Sequence, residues 1–197
     1  MDRDIQKRRS ALTLRLLWGA ALIAAFGCRE QNAEFSNPPS APADTSFCTP
    51  FANLYAAGDA VTLGGQLFSG KACTRYPNGN LHTVTGYRAG RKEGPWQVYY
   101  PDGVLMKEGL IADGQDEGDY NEYFPDGTQK YAYRYRKGLK TGKWKSWYKD
   151  GTPYTERNFR DDKLHGKVLV WDESGTLAKE YDYRSGKLVF SKMHFAE

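Results

Sequence analysis

A short turn signal recurs every 24 residues and constrains the fold more than any other feature of the chain. Its copies are Tyr76-Pro77-Asn78-Gly79, Tyr100-Pro101-Asp102-Gly103, Phe124-Pro125-Asp126-Gly127, Tyr148-Lys149-Asp150-Gly151 and the weaker Asp172-Glu173-Ser174-Gly175. A second mark keeps the same step at Gly90…Gly94, Gly114…Gly118, Gly138…Gly142 and Asp162…Gly166. Two marks in phase over five copies indicate a repeat protein, in which each unit packs on its neighbours.

Each unit has the pattern of a β-hairpin. Proline presets φ for the first central position of a turn, and glycine accepts the positive φ that closes it. The segments between the marks favour strand, and no apolar period of 3.6 residues persists from copy to copy. The sequence therefore predicts an all-β fold, a single-layer antiparallel meander of stacked β-hairpins with a small N-terminal cap.

The repeat frame also predicts the organisation of the chain. We expect a signal peptide at 1–27, a flexible tether at 28–45, an N-terminal cap at 46–69, five repeats at 70–189 and a C-terminal tail at 190–197. The tether is rich in proline, serine and asparagine, a composition that buries too little apolar surface to offset ordering. The cap does not follow the repeat frame, and we expect a short helix near 51–57.

Aromatic residues occupy fixed positions of the unit. The third position holds Trp96, Tyr120, Trp144 and Val168, the sixth holds Tyr99, Tyr123, Trp147 and Trp171, and one column of the second strand holds Tyr87, Ile111, Tyr135, Phe159 and Tyr183. Side chains alternate along a strand, so the third and sixth positions should lie on opposite faces. The sixth-position row is a candidate stacking platform for a glycan or a peptide. The alternative is that these rings only hold the sheet together.

Four arginines share another column of the unit: Arg88, Arg136, Arg160 and Arg184. As a ridge they could meet the phosphates of lipid headgroups or an acidic protein partner. The alternative is a solubilising face whose long stems cover aromatic rings. Of the formal net charge of +4, residues 1–27 carry +3 and the rest only +1. The overall charge therefore gives no reason to expect a nucleic-acid partner.

No catalytic pattern is present in the sequence. The three histidines, at positions 82, 165 and 194, stand in no metalloprotease, hydrolase or phosphate-loop motif. Cys48 and Cys73 lack the closely spaced companions of a zinc site, and the acidic segment 113–119 lacks the ligand spacing of an EF-hand. We predict no enzymatic activity, no metal and no cofactor.

The N-terminus has the pattern of an export signal. Basic residues precede an uncharged run at 16–27, which is shorter than the ~20 residues that span a bilayer. The alternatives are an N-terminal membrane anchor and a buried helix. The run ends in Ala25-Phe26-Gly27-Cys28, which resembles a bacterial lipobox, in which the cysteine is acylated and becomes the mature N-terminus. Small residues at 25 and 27 also suit an ordinary signal peptidase, so secretion without lipid stays open.

Acylation of Cys28 would leave Cys48 and Cys73 as an even pair, which an exported chain tends to join as a disulfide. Lipoproteins of Gram-negative bacteria usually carry aspartate after the acylated cysteine when they stay in the inner membrane. Arg29 occupies that position, so the resemblance implies an outer-membrane lipoprotein. The alternative location is secreted or periplasmic and soluble.

The unit Gly-x-Trp-x-x-Tyr-Tyr-Pro-Asp-Gly…Gly-x-x-x-Gly resembles the bacterial variant of the MORN (membrane occupation and recognition nexus) repeat over residues 70–189. The resemblance implies a stacked β-hairpin sheet that serves as a scaffold or binding module. Some members of the variant group are labelled YwqK-type antitoxins. We therefore expect a non-catalytic envelope protein that contacts a protein partner, a surface glycan or a lipid headgroup. The alternatives are an antitoxin-like inhibitor and a purely structural spacer.

The lipid anchor is tested by labelling growing cells with a palmitate analogue. We expect the wild-type chain to carry the label and the variant Cys28→Ala to lose it, because the thiol of residue 28 is the acylation site in a lipobox. In-gel fluorescence of the immunoprecipitated chains is the measurement. Equal labelling of both chains, or of neither, would contradict the prediction.

Overall fold

A computed structural model describes residues 48–194, and about two thirds of this range is β-strand. The strands are β1 Cys48–Pro50, β2 Tyr55–Ala57, β3 Ala60–Leu63, β4 Gln66–Leu67, β5 Gly70–Arg75, β6 Leu81–Arg88, β7 Arg91–Tyr99, β8 Leu105–Ala112, β9 Gln115–Tyr123, β10 Gln129–Arg136, β11 Leu139–Trp147, β12 Pro153–Arg160, β13 Lys163–Trp171, β14 Leu177–Arg184 and β15 Lys187–Met193. One 3-10 helix spans Phe51–Asn53. Between residues 48 and 194, no helix is long and apolar enough to cross a membrane.

Twelve strands form one sheet in the order β1-β5-β6-β7-β8-β9-β10-β11-β12-β13-β14-β15. From β5 onward each strand pairs antiparallel with the next strand of the chain, whereas β1 joins β5 in parallel. Strands β2, β3 and β4 form a separate three-stranded sheet. The predicted all-β meander of hairpins is confirmed.

The Pro-Asp-Gly signal builds the longer of two alternating turns. In the second copy, the Gly103 N–H donates to the Tyr100 carbonyl at 2.9 Å and the Tyr100 N–H donates to the Val104 carbonyl at 2.8 Å. The Asp102 carboxylate accepts the Val104 N–H at 3.1 Å. Equivalent backbone bonds close the other four copies, so the turns are identical in construction. In the fifth copy Asp172 replaces the aromatic residue, and its own carboxylate accepts the N–H groups of the turn.

The second mark combines a turn and a bulge. Asp113 and Gly114 join β8 to β9 with positive φ at both residues, 51° and 74°, which is the geometry of a type I′ hairpin turn. Gly118, with φ of 73°, lies inside β9, where the pairing with β8 shifts register. The second glycine of the mark therefore does not close a turn. It occupies a β-bulge, whose positive φ favours glycine.

Tyrosine hydroxyls fasten each repeat to the next. Tyr76 donates to the Tyr99 carbonyl at 2.9 Å, Tyr100 to the Tyr123 carbonyl at 2.9 Å, and Tyr148 to the Trp171 carbonyl at 3.2 Å. Each bond joins residues 23 positions apart. The equivalent position in the third copy is Phe124, which has no hydroxyl to donate.

The type I′ turns provide a second set of contacts between repeats. The Gly138 N–H donates to the Asp116 carbonyl at 2.9 Å, and the Lys137 N–H donates to the Glu117 carboxylate at 2.7 Å. In other copies Glu93 accepts the Asp113 N–H and His165 Nδ1 accepts the Ser185 N–H. The acidic segment 113–119 therefore takes part in the sheet's own hydrogen bonding.

The cap follows the repeat frame at its last two residues. The Gly90 N–H donates to the Phe68 carbonyl at 2.7 Å and the Ala89 N–H donates to Ser69 Oγ at 2.8 Å, as if 68–69 ended a preceding repeat. The short helix expected near 51–57 is limited to the single 3-10 turn. Residues 55–57 instead pair with β3, because strand pairing satisfies their backbone groups better than an isolated turn.

Two further features concern the boundaries of the sheet. Cys48 and Cys73 are joined by a disulfide with a Cα–Cα distance of 5.8 Å, which fastens β1 to the first repeat. At the other end β15 continues to Met193, beyond residue 189, where we expected the repeats to stop. Residues 1–47, which include the predicted signal peptide and Cys28, lie outside the described residues, as do residues 195–197.

The first position of the turn signal is tyrosine at residue 100 and phenylalanine at residue 124. Exchanging tyrosine and phenylalanine at these two positions should change the free energy of unfolding in opposite directions. We expect Tyr100→Phe to lower the free energy of unfolding by about 0.5–1.5 kcal/mol, because one hydrogen bond is lost. Phe124→Tyr should raise it by up to about the same amount, since its hydroxyl can reach the Trp147 carbonyl. Urea unfolding measures both effects. Tyr154→Phe is the control, because this exposed tyrosine makes no hydroxyl hydrogen bond within residues 48–194; equal losses in all three variants would contradict the assignment.

Candidate binding site

Six aromatic rings run in contact along one face of the sheet. They are Trp96, Tyr120, Tyr133, Tyr135, Trp144 and Phe159, which we call the aromatic ladder, and the side of the sheet that carries them is the ladder face. Ring centroids are 5.4 Å apart between Trp96 and Tyr120, 4.7 Å between Tyr133 and Trp144, and 5.0 Å between Trp144 and Phe159. Tyr120 is buried and the other five rings are half-buried. The ladder thus combines packing with an accessible aromatic surface.

The burial of Tyr120 depends on a glycine. The ring lies over Gly109 of the neighbouring strand, where a Cβ atom would come within 2.7 Å of the ring carbons. The φ angle of Gly109 is not positive, so space and not backbone conformation requires glycine at this position. Strand β8 therefore contributes a gap to the ladder, and Tyr120 from β9 fills it.

Carboxylates hold the phenolic ends of two ladder tyrosines. The Tyr133 hydroxyl donates to Glu122 Oε1 at 2.7 Å, the Tyr120 hydroxyl donates to Asp116, and Trp96 Nε1 donates to the Tyr120 hydroxyl at 3.4 Å. The pKa of both phenols is raised above the ordinary value near 10. Burial is the main cause, and the hydrogen bond to the carboxylate is the second. These tyrosines therefore stay neutral at physiological pH.

Two cationic side chains border the exposed part of the ladder. Lys140 Nζ lies 5.0 Å from the Trp144 ring centroid and 5.6 Å from that of Phe159, within the range of a cation–π contact. Arg157 is exposed and, together with Lys140, Tyr133 and Trp144, lines an open groove of about 280 Å³. A second open groove of about 520 Å³ lies towards the N-terminal cap. Aromatic and cationic groups thus meet on an accessible surface.

The opposite face of the sheet has a different character, because charged side chains pair with each other across its strands. Lys143 and Lys145 reach the two oxygens of Glu156 at 3.0 and 3.7 Å, and Lys167 reaches Glu180 at 2.6 Å. The hydrogen bond between Lys167 and Glu180 lowers the pKa of the carboxyl and raises that of the ammonium. Much of the basic character of the central repeats is therefore neutralised within this face.

The predicted aromatic row lies on this opposite face, and half of it is inaccessible. Tyr99 and Tyr123 are 4% and 3% exposed, and they pack with Val84, Leu105 and Cys73 in a small core. Their hydroxyls donate to Gln97 and Glu108, which lie on the same face. These two rings cannot stack on a ligand, which corrects the expectation of a continuous platform; Trp147 and Trp171 are half-buried. The prediction that the third and sixth positions lie on opposite faces agrees with the structure.

The four arginines of the predicted ridge are exposed but do not converge. Arg88, Arg136, Arg160 and Arg184 end strands β6, β10, β12 and β14, each directly before a type I′ turn. Alternate strands lie about 9–10 Å apart, and Ala112 interrupts the column on β8. Arg88 approaches Glu93 at 3.9 Å and Arg136 approaches Asp161 at 3.5 Å. The arrangement resembles a spaced row of charges more than a binding cleft.

The histidines and cysteines have structural contacts. His82 packs on the Tyr76 ring at 4.5 Å, and His194 Nε2 lies 4.0 Å from a Glu180 oxygen. Over residues 48–194, no three histidine, cysteine or acidic side chains are grouped so that they could hold a metal ion.

Sequence reasoning missed that the ladder, and not the sixth-position row, is the accessible aromatic surface. The third-position column was visible, but Tyr133 occupies a position where the other copies have threonine, glycine, arginine and tyrosine, so its part in the ladder left no periodic trace. Gly109 was the available signal, because a glycine in mid-strand often marks the close approach of another group.

The raised pKa values of the ladder tyrosines predict a loss of stability at alkaline pH. A pKa that is higher in the folded than in the unfolded chain gives stabilisation that is complete below the unfolded value of about 10 and disappears as the pH rises above it. We expect Tyr133→Phe to be less stable than wild type near neutral pH but to lose less stability between about pH 9 and 12. Urea unfolding across this range is the measurement, and Tyr55→Phe, outside the ladder, should follow the wild-type slope. Identical slopes for wild type and Tyr133→Phe would contradict the assignment.

Comparison with known proteins gives a family match for three hairpins. Residues 92–112, 140–161 and 164–185 match the MORN repeat variant. They correspond to the hairpins β7–β8, β11–β12 and β13–β14. A search of curated proteins finds no match to the chain. Three of the hairpins thus match the MORN repeat variant in sequence, and the structure repeats the same construction in the hairpins between and beside them.

Proposed function

We propose that the protein is a non-catalytic binding scaffold at the bacterial cell envelope, and that its ladder face contacts a protein partner or a surface polymer. The observation that carries this proposal is the contrast between the two faces of the sheet. One face presents half-buried aromatic rings beside Lys140 and Arg157. The other pairs many of its charges internally. MORN repeats are generally associated with binding and scaffold roles, which agrees with this assignment.

Aromatic residues and arginine are enriched in binding hot spots. Aromatic rings supply a large contact area at a small entropic cost, because only two side-chain torsions are fixed. The ladder rings are already fixed by their neighbours, so little conformational freedom would be lost on binding. The grooves are open and shallow, a shape that suits an extended polymer or a protein surface more than a small molecule.

The proposed location rests on the predicted export signal. In this proposal Cys28 carries the lipid, the chain is an outer-membrane lipoprotein, and residues 28–45 tether the sheet to the membrane surface. A soluble secreted or periplasmic form would present the same sheet without the anchor. The antitoxin role seen in the labels of some variant-group members would require a toxin that forms a stable one-to-one complex with the sheet.

Site-specific photo-crosslinking in living cells tests which face is used. A benzophenone amino acid is placed at position 157 or at position 160. Both arginines belong to β12 and are exposed, but Arg157 lies on the ladder face and Arg160 on the opposite face. The two variants therefore differ mainly in the face that carries the probe. We expect crosslinked products from position 157 and none from position 160.

The other outcomes each point away from the proposal. Crosslinks from position 160 alone would place the binding surface on the arginine row. The absence of crosslinks from both positions, in chains that fold as judged by circular dichroism, would favour a structural spacer. A crosslink from position 157 to one small protein encoded beside this chain would turn the assignment towards an antitoxin.

A further inference from the structure

The last strand of the sheet is exposed along its whole length. β15, Lys187–Met193, pairs with β14 on one side, and no other strand within residues 48–194 pairs with its outer edge. All seven residues are exposed, and four of them are large and apolar: Leu188 at 53%, Val189 at 55%, Phe190 at 49% and Met193 at 49%. An edge of this kind offers unpaired backbone groups together with apolar side chains, so it readily accepts another strand.

The opposite edge of the sheet is closed to such pairing. β1 has only three residues, ends in Pro50 and is fastened to β5 through the Cys48–Cys73 disulfide. Short edge strands and proline are the devices by which proteins block strand addition. Because one edge of the sheet is protected against strand addition, the exposed edge at β15 is the one at which a further strand can be added.

We propose that the outer edge of β15 binds an extended segment of a partner protein as an added β-strand, and that this segment alternates apolar and acidic residues. Lys187 and Lys192 are the charged residues of β15, which contains no acidic side chain. The two lysines lie on the same face of the sheet as Phe190, because their partners on β14 are Arg184, Glu180 and Asp182. Acidic side chains of an added strand would meet the lysines on that face, while its apolar side chains would cover Leu188 and Met193 on the other.

A second copy of β15 is a poorer occupant of this edge. The register shift at Val189 moves the residues before and after it to different faces, so a symmetric antiparallel pair keeps only a short ladder. A register centred on Lys192 would place two lysines directly opposite each other, which is destabilising. Charge complementarity therefore favours an acidic partner segment over self-association.

Synthetic peptides added to the isotope-labelled chain test the proposal. The probes are a capped eight-residue peptide in which valine alternates with glutamate and a matched peptide in which valine alternates with lysine. By NMR we expect the glutamate peptide to shift and protect the amides of β15, and to bind at least about tenfold more tightly than the lysine peptide.

Reversing one charge provides the specific control. Lys187→Glu should shift the preference towards the lysine peptide, and it should leave the fold intact because residue 187 faces Arg184 across the β14–β15 pair. Lys163→Glu is the matched control. Lys163 follows a type I′ turn in the same way and faces Arg160, but its strand is paired on both sides.

Three results would overturn the proposal. The first is the absence of peptide binding at β15, and the second is equal binding of both peptides that Lys187→Glu does not change. The third is a concentration-dependent dimer whose β15 amides are protected without peptide, which would assign the edge to a second copy. This surface is independent of the ladder face, so failure here leaves the crosslinking result unaffected.

Discussion

The structure depends on hydrogen bonds that run between repeats about 23 residues apart in sequence. A single sheet has little interior, and within the described residues the one cluster of buried apolar side chains is small and lies near Cys73 and Tyr99. Order must therefore come from contacts between neighbouring hairpins. The tyrosine hydroxyls connect the repeats at one end of the strands, and the type I′ turns connect them at the other. Both sets of contacts start from residues at or beside the turns, so they recur with the same 24-residue period as the turns.

On the ladder face, effects on binding are difficult to separate from effects on stability, because the same rings pack the sheet and form its accessible surface. Each half-buried ring contacts the rings of adjacent strands, so removing Trp144 would take one ring contact from each of Tyr133, Tyr135 and Phe159. A loss of binding after such a change would not show that the ring touches a ligand. Arg157 is a better probe of function, because it is exposed on the same face and lies outside the stack of rings.

Regular features of the fold could be read from the sequence, and the exceptions have physical reasons. Proline, aspartate and glycine determine the turns locally, so the turn at Gly103 was predictable from the local sequence alone. The bulge at Gly118 was not predictable, because a glycine gives the same signal in the sequence whether a turn or a bulge requires its positive φ. The burial of Tyr99 and Tyr123 depends on packing with Val84 and Leu105 from neighbouring strands, and comparing a single repeat position across the copies does not reveal such packing.

The two ends of the sheet are built on different principles, and this difference decides where a partner strand can be added. At the N-terminal end, Phe68 and Ser69 supply the carbonyl and hydroxyl that a preceding repeat would have supplied, and β1 covers the next strand. At the C-terminal end, β15 has the position of a first strand of a hairpin, but among the described strands it pairs only with β14. Each strand in the interior of the array is stabilised on both edges, so β15 lacks half of the pairing that the repeat is built to make. An added strand would supply the missing half.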